Sequence, residues 1–454
     1  MTQKDTFVEG KIFRPLFRFM VPLLFANFLQ ALYSAGDMFI IGIFGTTGDV
    51  SAVSTGTGIV DLVRMFLAAT STGVTVLLGQ QLGQQKTEGA GRVIGAGAWL
   101  FGMAGLLFTL VLFLPAPMWA NVMQAPEEAF NSTVLYIRIC ALGTVFVALY
   151  NVLGSIFRGL GDSTTPMIIA AVSFVLNFLA DCVLVGHFKL GAGGSAMTNV
   201  FAQALSVVLG VLVIKKKGLP FPFRRKMIRW DKPCAAAITK VGIPLGGQDV
   251  LVSISFLAIT AIINSLGLVY SAGAGVAEKA VAFILLIPSS FSQAVSTFVA
   301  HNIGARKVER AVKGMRYGMI FSLVCGLIIG AFAFFRGDLL VSVFVKDKPD
   351  VLAAATDYPK AYSFDCILTA ILFCFHGFFI GVGHMKFVAI EGICGAVLVR
   401  IPVSFLMSKI TPVSLFYVAL AVPCSSVVQN IACVFYYKHI MKHPEELKPM
   451  GEEY

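Results

Sequence analysis

Residues 163–187 read STTPMIIAAVSFVLNFLADCVLVGH, and this stretch decides the class of fold. It carries one acidic residue, Asp181, and no lysine or arginine over a length that can cross a bilayer as a helix. A segment in hydrocarbon must satisfy its own backbone hydrogen bonds, which a helix does. The stretch is therefore predicted to be a transmembrane helix that holds a carboxylate inside the membrane.

The composition of the whole chain is that of a membrane protein. Of its 454 residues, 57% are hydrophobic and 13% are charged, and the mean hydropathy is +0.83. Soluble globular proteins contain about 25% charged residues, and disordered chains contain few apolar ones, so both classes are excluded. The nine cysteines lie mostly inside apolar runs without a Cys-x-x-Cys pair, which indicates packing rather than disulfides or metal ligands.

Further apolar runs resemble the first in length and in their low content of charge. The sequence therefore predicts an all-α polytopic membrane protein with twelve transmembrane helices. The runs lie at about 14–44, 52–83, 90–115, 129–158, 163–187, 190–214, 235–267, 272–302, 312–335, 352–382, 386–408 and 411–437.

Short motifs recur about 222 residues apart and indicate an internal repeat. Each half holds six helices, so both halves enter the membrane in the same direction and are expected to be related by a pseudo-two-fold axis along the membrane normal. The paired motifs are Met20-Val21-Pro22-Leu23 with Gly242-Ile243-Pro244-Leu245, Gly79-Gln80-Gln81-Leu82-Gly83 with Ala300-His301-Asn302-Ile303-Gly304, and Phe157-Arg158-Gly159-Leu160-Gly161 with Phe379-Ile380-Gly381-Val382-Gly383.

The repeat divides the chain into two predicted lobes of six helices each. Residues 1–214 form the N-lobe, residues 215–233 form a basic cytoplasmic linker, residues 234–437 form the C-lobe and residues 438–454 form a cytoplasmic tail. Two such lobes predict a central cleft and alternating access by rocking of one lobe against the other.

The net charge of +11 marks topology. Most of the 35 lysines and arginines fall on one side of the predicted membrane, and the densest groups lie at 215–232 and 306–316. Because basic residues concentrate on the cytoplasmic side, the sequence predicts a multi-pass protein of the cell membrane with both termini in the cytoplasm. Nucleic-acid binding is not expected, and we expect a monomer.

Two aspartates stand out among the charged residues inside the predicted helices. Asp37 and Asp181 lie at similar depths, roughly 8–11 Å below the outer surface at 1.5 Å per residue. Tyr33 and Asn177 each precede one of them by four residues and so share its helix face. Intramembrane carboxylates are costly and are candidates for function. The alternative is a set of buried, hydrogen-bonded residues with a packing role only.

Helix six brings further polar side chains to this depth. Thr198 is the expected partner, and Asn199 could take its place. Hard oxygen ligands suit Na⁺, and paired carboxylates in a low dielectric suit a shared proton. The positions 222 residues after the two aspartates are Ile259 and Val403, so the cation site is predicted in the N-lobe alone.

Other intramembrane charges have simpler explanations or weaker support. Asp61 and Arg64 lie three residues apart and are expected to form an ion pair, while Glu278 with Lys279, and Glu391, are read as locally paired or snorkelling. Polarizable or acidic side chains would suit a promiscuous substrate cleft, although methionine and phenylalanine more often pack in a core. The cleft candidates are Asp249, Asp365, Met38 and Phe28.

Taken in order, the motifs resemble the MATE (multidrug and toxic compound extrusion) family over essentially the whole chain. The resemblance is carried by Val21-Pro22, Ala35-Gly36-Asp37, Leu78-Gly79-Gln80-Gln81-Leu82-Gly83, Arg158-Gly159-Leu160-Gly161-Asp162-Ser163-Thr164-Thr165-Pro166, Asn177 with Asp181, and Gly193-Gly194-Ser195-Ala196-Met197-Thr198.

The resemblance implies a secondary antiporter that exports amphipathic, often cationic, compounds in exchange for Na⁺ or H⁺, with no other cofactor. It is similar to the prokaryotic branches with an N-lobe cation site. The implied site consists of Asp37, Asp181, Asn177, Thr198 and Tyr33, of which the first four could bind Na⁺. Some branches place acidic residues where this chain has Val252 and Thr369, so a second site in the C-lobe is not expected.

Three rival functions are less well supported by the sequence. A lipid-linked oligosaccharide flippase of the same superfamily would need a strongly cationic cavity, for which only Arg64, Lys279 and Arg400 are available. A major-facilitator carrier would have an acidic residue in the loop after helix two, which is absent. An intramembrane enzyme would need a catalytic constellation, whereas the six histidines are scattered and mostly near helix ends. We therefore expect no enzymatic activity.

Overall fold

The computed structural model describes residues 7–221, 223–342 and 349–450, and within these ranges the regular secondary structure is helical. Twelve helices in the described ranges are long and apolar enough to cross a membrane, which confirms the predicted fold class. They are α1 Phe13–Phe44, α2 Thr47–Gly83, α3 Thr87–Phe113, α4 Glu127–Gly159, α5 Thr164–His187, α6 Gly191–Lys217, α7 Lys232–Asn264, α8 Leu268–Gly304, α9 Val308–Ser342, α10 Asp350–Val382, α11 Met385–Met407 and α12 Leu415–Lys442.

The chain forms two compact units. One consists of Val21–Gly246 with Met450, and the other consists of Gly247–Pro449 with the described residues up to Met20. The division falls inside α1 and α7, close to the helix prolines Pro22 and Pro244. Each unit therefore differs from the predicted lobe at two helices, because the start of α1 belongs to the second unit and the linker with the start of α7 belongs to the first. Residues 1–6 and 451–454 of the predicted lobe and tail lie outside the described residues.

The turns after α2, α4, α8 and α10 reproduce the sequence repeat in backbone geometry. After α2 and α8, Gln85 and Arg306 adopt φ values of 60° and 57°, and after α4 and α10, Gly161 and Gly383 adopt φ values of 79° and 112°. A left-handed residue that ends a helix lets the following N–H bond to an orphan carbonyl. These bonds run from Lys86 to Gln81, Lys307 to Asn302, Asp162 to Phe157 and His384 to Phe379, at 2.8–3.0 Å.

One helix lies at the centre of packing in each unit. In the first unit α4 packs against α2, α3 and α6, and in the second α10 packs against α8, α9 and α12. The repeat relates α4 to α10, so each half is built around the equivalent helix.

Small residues allow these helices to approach closely. A Cβ added to Gly326 of α9 would lie 2.5 Å from the carbonyl oxygen of Cys366 on α10, and one added to Gly377 of α10 would lie 2.5 Å from that of Ser292 on α8. Glycine at such contacts is typical of membrane helices, whose association depends on close van der Waals packing.

Gly377→Ala is expected to destabilise the protein by about 1–3 kcal/mol, because the added methyl group would force α8 and α10 apart. The matched control is Gly275→Ala on α8, where an added Cβ meets nothing within 4 Å and where alanine favours the helix by up to about 1 kcal/mol. Thermal unfolding in detergent should show a lower midpoint for the first variant only. Equal midpoints would contradict this account of helix packing.

Candidate functional site

The two intramembrane aspartates share one amide nitrogen. Asn177 Nδ2 donates to Asp37 Oδ1 at 2.7 Å and to Asp181 Oδ2 at 3.1 Å. Asn177 and Asp181 lie one turn apart on α5, as do Tyr33 and Asp37 on α1, so each helix presents its pair on one face. Asp37 is 7% exposed and Asp181 is 1% exposed. The structure thus brings two buried carboxylates from different helices to one point.

Helix α6 completes the network with two adjacent residues. Thr198 Oγ1 donates to Asp181 Oδ1 at 2.5 Å, and Asn199 Nδ2 donates to Asp37 Oδ2 at 2.7 Å. The Tyr33 hydroxyl donates to Asn177 Oδ1 at 2.8 Å, which orients that amide. All five predicted site residues therefore meet. Thr198 and Asn199 both take part, whereas the sequence presented them as alternatives.

The electrostatics of the cluster follow from the nature of its donors. Each of the four carboxylate oxygens accepts a hydrogen bond from an amide or hydroxyl group, and these donors carry no charge. Within the described residues, the buried Asn199 Oδ1 and Ser195 Oγ have no hydrogen-bond partner. Carboxylate, amide and hydroxyl oxygens are the ligands that hard cations prefer. The set suits either a small cation or a proton on a carboxylate.

The helix that carries Asp181 changes character directly after it. Residues Cys182–His187 form a π-helical segment, in which the N–H of Phe188 bonds to the carbonyl of Val183 at 2.9 Å. Such segments occur mostly as short insertions in α-helices and often at functional sites. No feature of the sequence predicts this irregularity.

A cavity of about 280 Å³ lies beside the network, inside the first unit. Tyr33 lines it and belongs to both features, and Gln30 and Met65 also line it. Asp61 and Arg64 face the cavity as an ion pair with a separation of 3.2 Å, which confirms the predicted pairing. The cavity combines apolar walls with a few polar groups, as small-molecule sites do.

The predicted cleft residues are divided between the two units. Met38 and Phe28 are 38% and 41% exposed on α1, and Asp249 is exposed on α7. Asp365 lies inside the second unit at 2% exposure, where its Oδ2 accepts a hydrogen bond of 2.6 Å from Thr369. Asp249 and Asp365 both belong to the second unit and are not part of the aspartate network.

One polar cluster is not predicted by the sequence. His376, Glu391 and Cys433 lie on α10, α11 and α12 and meet inside the second unit. Only the intramembrane position of Glu391 indicates a polar cluster here. The three residues are far apart in the sequence, and the cysteine pattern favours packing.

Comparison with known families settles the class of protein. The MatE family model matches residues 22–183 and matches again at 244–406. The chain belongs to the MATE family. The two matches start 222 residues apart, which confirms the internal repeat and identifies each half as one copy of the family unit.

Named relatives of this MATE protein come from several bacteria. It is 26% identical to the Probable multidrug resistance protein YpnP of Bacillus subtilis, over 88% of this chain and 90% of that protein. It is 23% identical to the Multidrug export protein MepA of Staphylococcus haemolyticus, over 89% of each.

Solved structures of MATE proteins share the fold. A crystal structure of MATE in complex with MaL6 gives a TM-score of 0.92 at 17% identity and covers 98% of this chain and 100% of that one. An outward-facing multidrug resistance MATE family transporter of the MOP superfamily gives 0.90 at 17% identity, over 98% and 99%. The fold is therefore that of a twelve-helix, two-lobed membrane transporter.

Asn177→Leu is expected to lower the stability of this MATE protein, because one oxygen of each aspartate would lose its donor at a cost of about 1–3 kcal/mol per group. Tyr33→Phe removes one hydrogen bond and should cost less, about 0.5–1.5 kcal/mol. The thermal midpoint should therefore be highest for the wild type, lower for Tyr33→Phe and lowest for Asn177→Leu. An Asn177→Leu protein as stable as wild type would show that the amide bridge is unimportant.

Proposed function

We propose that this MATE transporter exports small amphipathic compounds, often cationic ones, in exchange for Na⁺ or H⁺ that binds at Asp37 and Asp181. The names of the relatives YpnP and MepA describe multidrug resistance and export, which supports this class of substrate. Coupling is proposed to occur in the first unit by alternating access and without covalent chemistry.

The carrying observation is a pair of buried carboxylates whose four oxygens each accept a hydrogen bond from a neutral amide or hydroxyl group. Two negative charges in a low-dielectric site repel each other strongly, and hydrogen bonds from amides and hydroxyls offset only part of that cost. A bound cation or a proton reduces this electrostatic repulsion between the two carboxylates. The free energy of the site therefore depends on occupancy by a mobile positive charge, which is what an ion-coupled transporter requires.

Helix α1 is the proposed link between cation binding and movement. It carries Tyr33 and Asp37 and also contains Pro22, which cannot donate a hydrogen bond within the helix and so weakens it locally. In the proposed cycle, a cation entering from outside offsets one of the two carboxylate charges and α1 repacks against α5 and α6, which displaces the substrate outward. Release of the cation to the cytoplasm resets the site.

The cavity next to Tyr33 is the proposed place for substrate within the first unit. It shares that tyrosine with the aspartate network, so repacking of α1 would change its shape. Its Asp61–Arg64 pair presents both signs of charge, and its other walls include Met65, whose flexible side chain suits varied ligands.

The membrane potential supplies enough energy for such a pump. One elementary charge moving inward gains about 2.3 kcal/mol per 100 mV. This corresponds to roughly a 50-fold concentration gradient of an uncharged substrate, since 1.4 kcal/mol is a factor of ten. The distribution of lysine and arginine supports the orientation in which both termini are cytoplasmic, so the charge would enter through the face opposite the basic linker.

Asp37→Asn should abolish cation-driven efflux while the protein still folds, because asparagine fits the same space but cannot neutralise a bound cation or release a proton. The measurement is efflux of a fluorescent amphipathic cation such as ethidium from proteoliposomes. Glu278→Gln is the matched control, since it removes an intramembrane carboxylate that accepts only a weak 3.4 Å hydrogen bond from Thr260. Normal efflux by Asp37→Asn would reject the proposed site.

The coupling ion can be identified by imposing the two gradients separately. Proteoliposomes with an inward Na⁺ gradient at equal pH are compared with vesicles that have an inward proton gradient and no Na⁺. At least one gradient should drive efflux in the wild type and fail in Asp181→Asn. Efflux at the same rate with and without both gradients would contradict antiport.

A further inference from the structure

The second unit contains a buried group of three potential metal ligands. His376 of α10, Glu391 of α11 and Cys433 of α12 each offer one ligand atom, and these atoms lie within 4.8 Å of one another. They are 9%, 7% and 0% exposed. Glu391 Oε1 contacts His376 Nε2, while Glu391 Oε2 is buried without a hydrogen-bond partner in the part of the chain that the structure describes. A polar oxygen is therefore left unsatisfied beside a thiol and an imidazole.

The ligand types favour a transition-metal ion. Thiolate and imidazole groups are the usual ligands of Zn²⁺, and a carboxylate commonly joins them, whereas Na⁺ and Mg²⁺ prefer oxygen atoms alone. In tetrahedral zinc sites the ligand atoms, about 2.0–2.3 Å from the metal, lie roughly 3.3–3.7 Å apart. The three ligand atoms lie within 4.8 Å of one another, and the contact between Glu391 Oε1 and His376 Nε2 has to open for both atoms to bind an ion.

Charge balance also favours a divalent ion. Zn²⁺ bound by one thiolate, one carboxylate and a neutral imidazole forms a complex with no net charge. This matters because a net charge is costly in the low-dielectric interior of a membrane helix bundle. On binding, the Cys433 thiol gives up its proton to solvent, as ligand thiols do.

We propose that His376, Glu391 and Cys433 form a binding site for a divalent transition-metal ion, with Zn²⁺ as the best match. The ion would cross-link α10, α11 and α12, of which α10 is the central helix of its unit. Water would occupy the fourth position. This site belongs to the second unit, and the aspartate network belongs to the first. The proposed metal site and the proposed coupling site can therefore be tested independently.

The position of the site on α11 gives the ion a structural consequence. Four residues after Glu391, the helix enters a second π-helical segment, Gly395–Arg400, and the carbonyl oxygen of Gly395 accepts a hydrogen bond of 2.8 Å from Ser425 of α12. A metal ion bound by both Glu391 and Cys433 would link the same two helices, one turn earlier on α11. Binding should therefore stiffen the junction between α11 and α12.

The test uses the purified full-length protein with Zn²⁺ and Co²⁺ as probes. Isothermal titration after chelator treatment should show one Zn²⁺ per chain, and saturating Zn²⁺ should raise the thermal midpoint. Co²⁺ should give the intense visible bands of a tetrahedral complex and a near-ultraviolet thiolate charge-transfer band. Cys433→Ser should abolish the charge-transfer band, and His376→Ala and Glu391→Gln should each weaken Zn²⁺ binding at least tenfold.

Two control variants address binding elsewhere and loss of folding. Cys374→Ser changes a different buried thiol, which lies on α10. His187→Gln changes an exposed histidine of the first unit. Both variants should bind Zn²⁺ and Co²⁺ as the wild type does. Monodisperse elution of each variant shows that it is folded. Absence of Zn²⁺ binding by the wild type, or an unchanged Co²⁺ spectrum in Cys433→Ser, would overturn the proposal. Ethidium efflux by the metal-free protein tests the coupling site independently of these outcomes.

Discussion

The cost of holding carboxylates in a membrane governs the first unit. Four oxygens of Asp37 and Asp181 each need a hydrogen-bond donor, and water is scarce at that depth. Helices α5 and α6 supply these donors and α1 carries Asp37, so the hydrogen bonds determine the register of the three helices relative to each other. The π-helical segment after Asp181 fits this view, because the backbone is irregular where the side chains are most constrained.

The fold was predictable from sequence because hydrocarbon allows few solutions. Apolar runs of sufficient length must be helices, and the repeated motifs determine how many belong to each half. The site was predictable as far as helix periodicity reaches: residues four apart share a face, and equal depth brings Asp37 near Asp181. Periodicity does not determine rotation between neighbouring helices, which is why Thr198 and Asn199 could not be distinguished. It also does not predict contacts such as that of His376 with Glu391, which depend on how neighbouring helices pack.

The repeat shows how far backbone and chemistry can diverge. The left-handed turns at Gly161 and Gly383 are the same in both halves, and so is the central position of α4 and α10. The aspartate positions, however, correspond to Ile259 and Val403 in the second half. Packing therefore preserves the repeated backbone, while the polar side chains differ between the halves. The second unit holds a different polar cluster at different positions, so the two halves offer distinct chemistries on one scaffold.

The contrast between two kinds of buried charge explains why the aspartate network suits coupling. Arg64 lies 3.2 Å from Asp61, so that carboxylate already has a cationic partner on its own helix that balances its charge. The oxygens of Asp37 and Asp181 instead accept bonds from neutral groups, which orient the carboxylates without balancing their charge. A lysine in place of Asn177 would neutralise one carboxylate permanently and make the site indifferent to Na⁺ or H⁺. Neutral donors leave the balancing charge to a mobile ion, and only a charge that comes and goes can make one conformation more stable at one step of the cycle and less stable at the next.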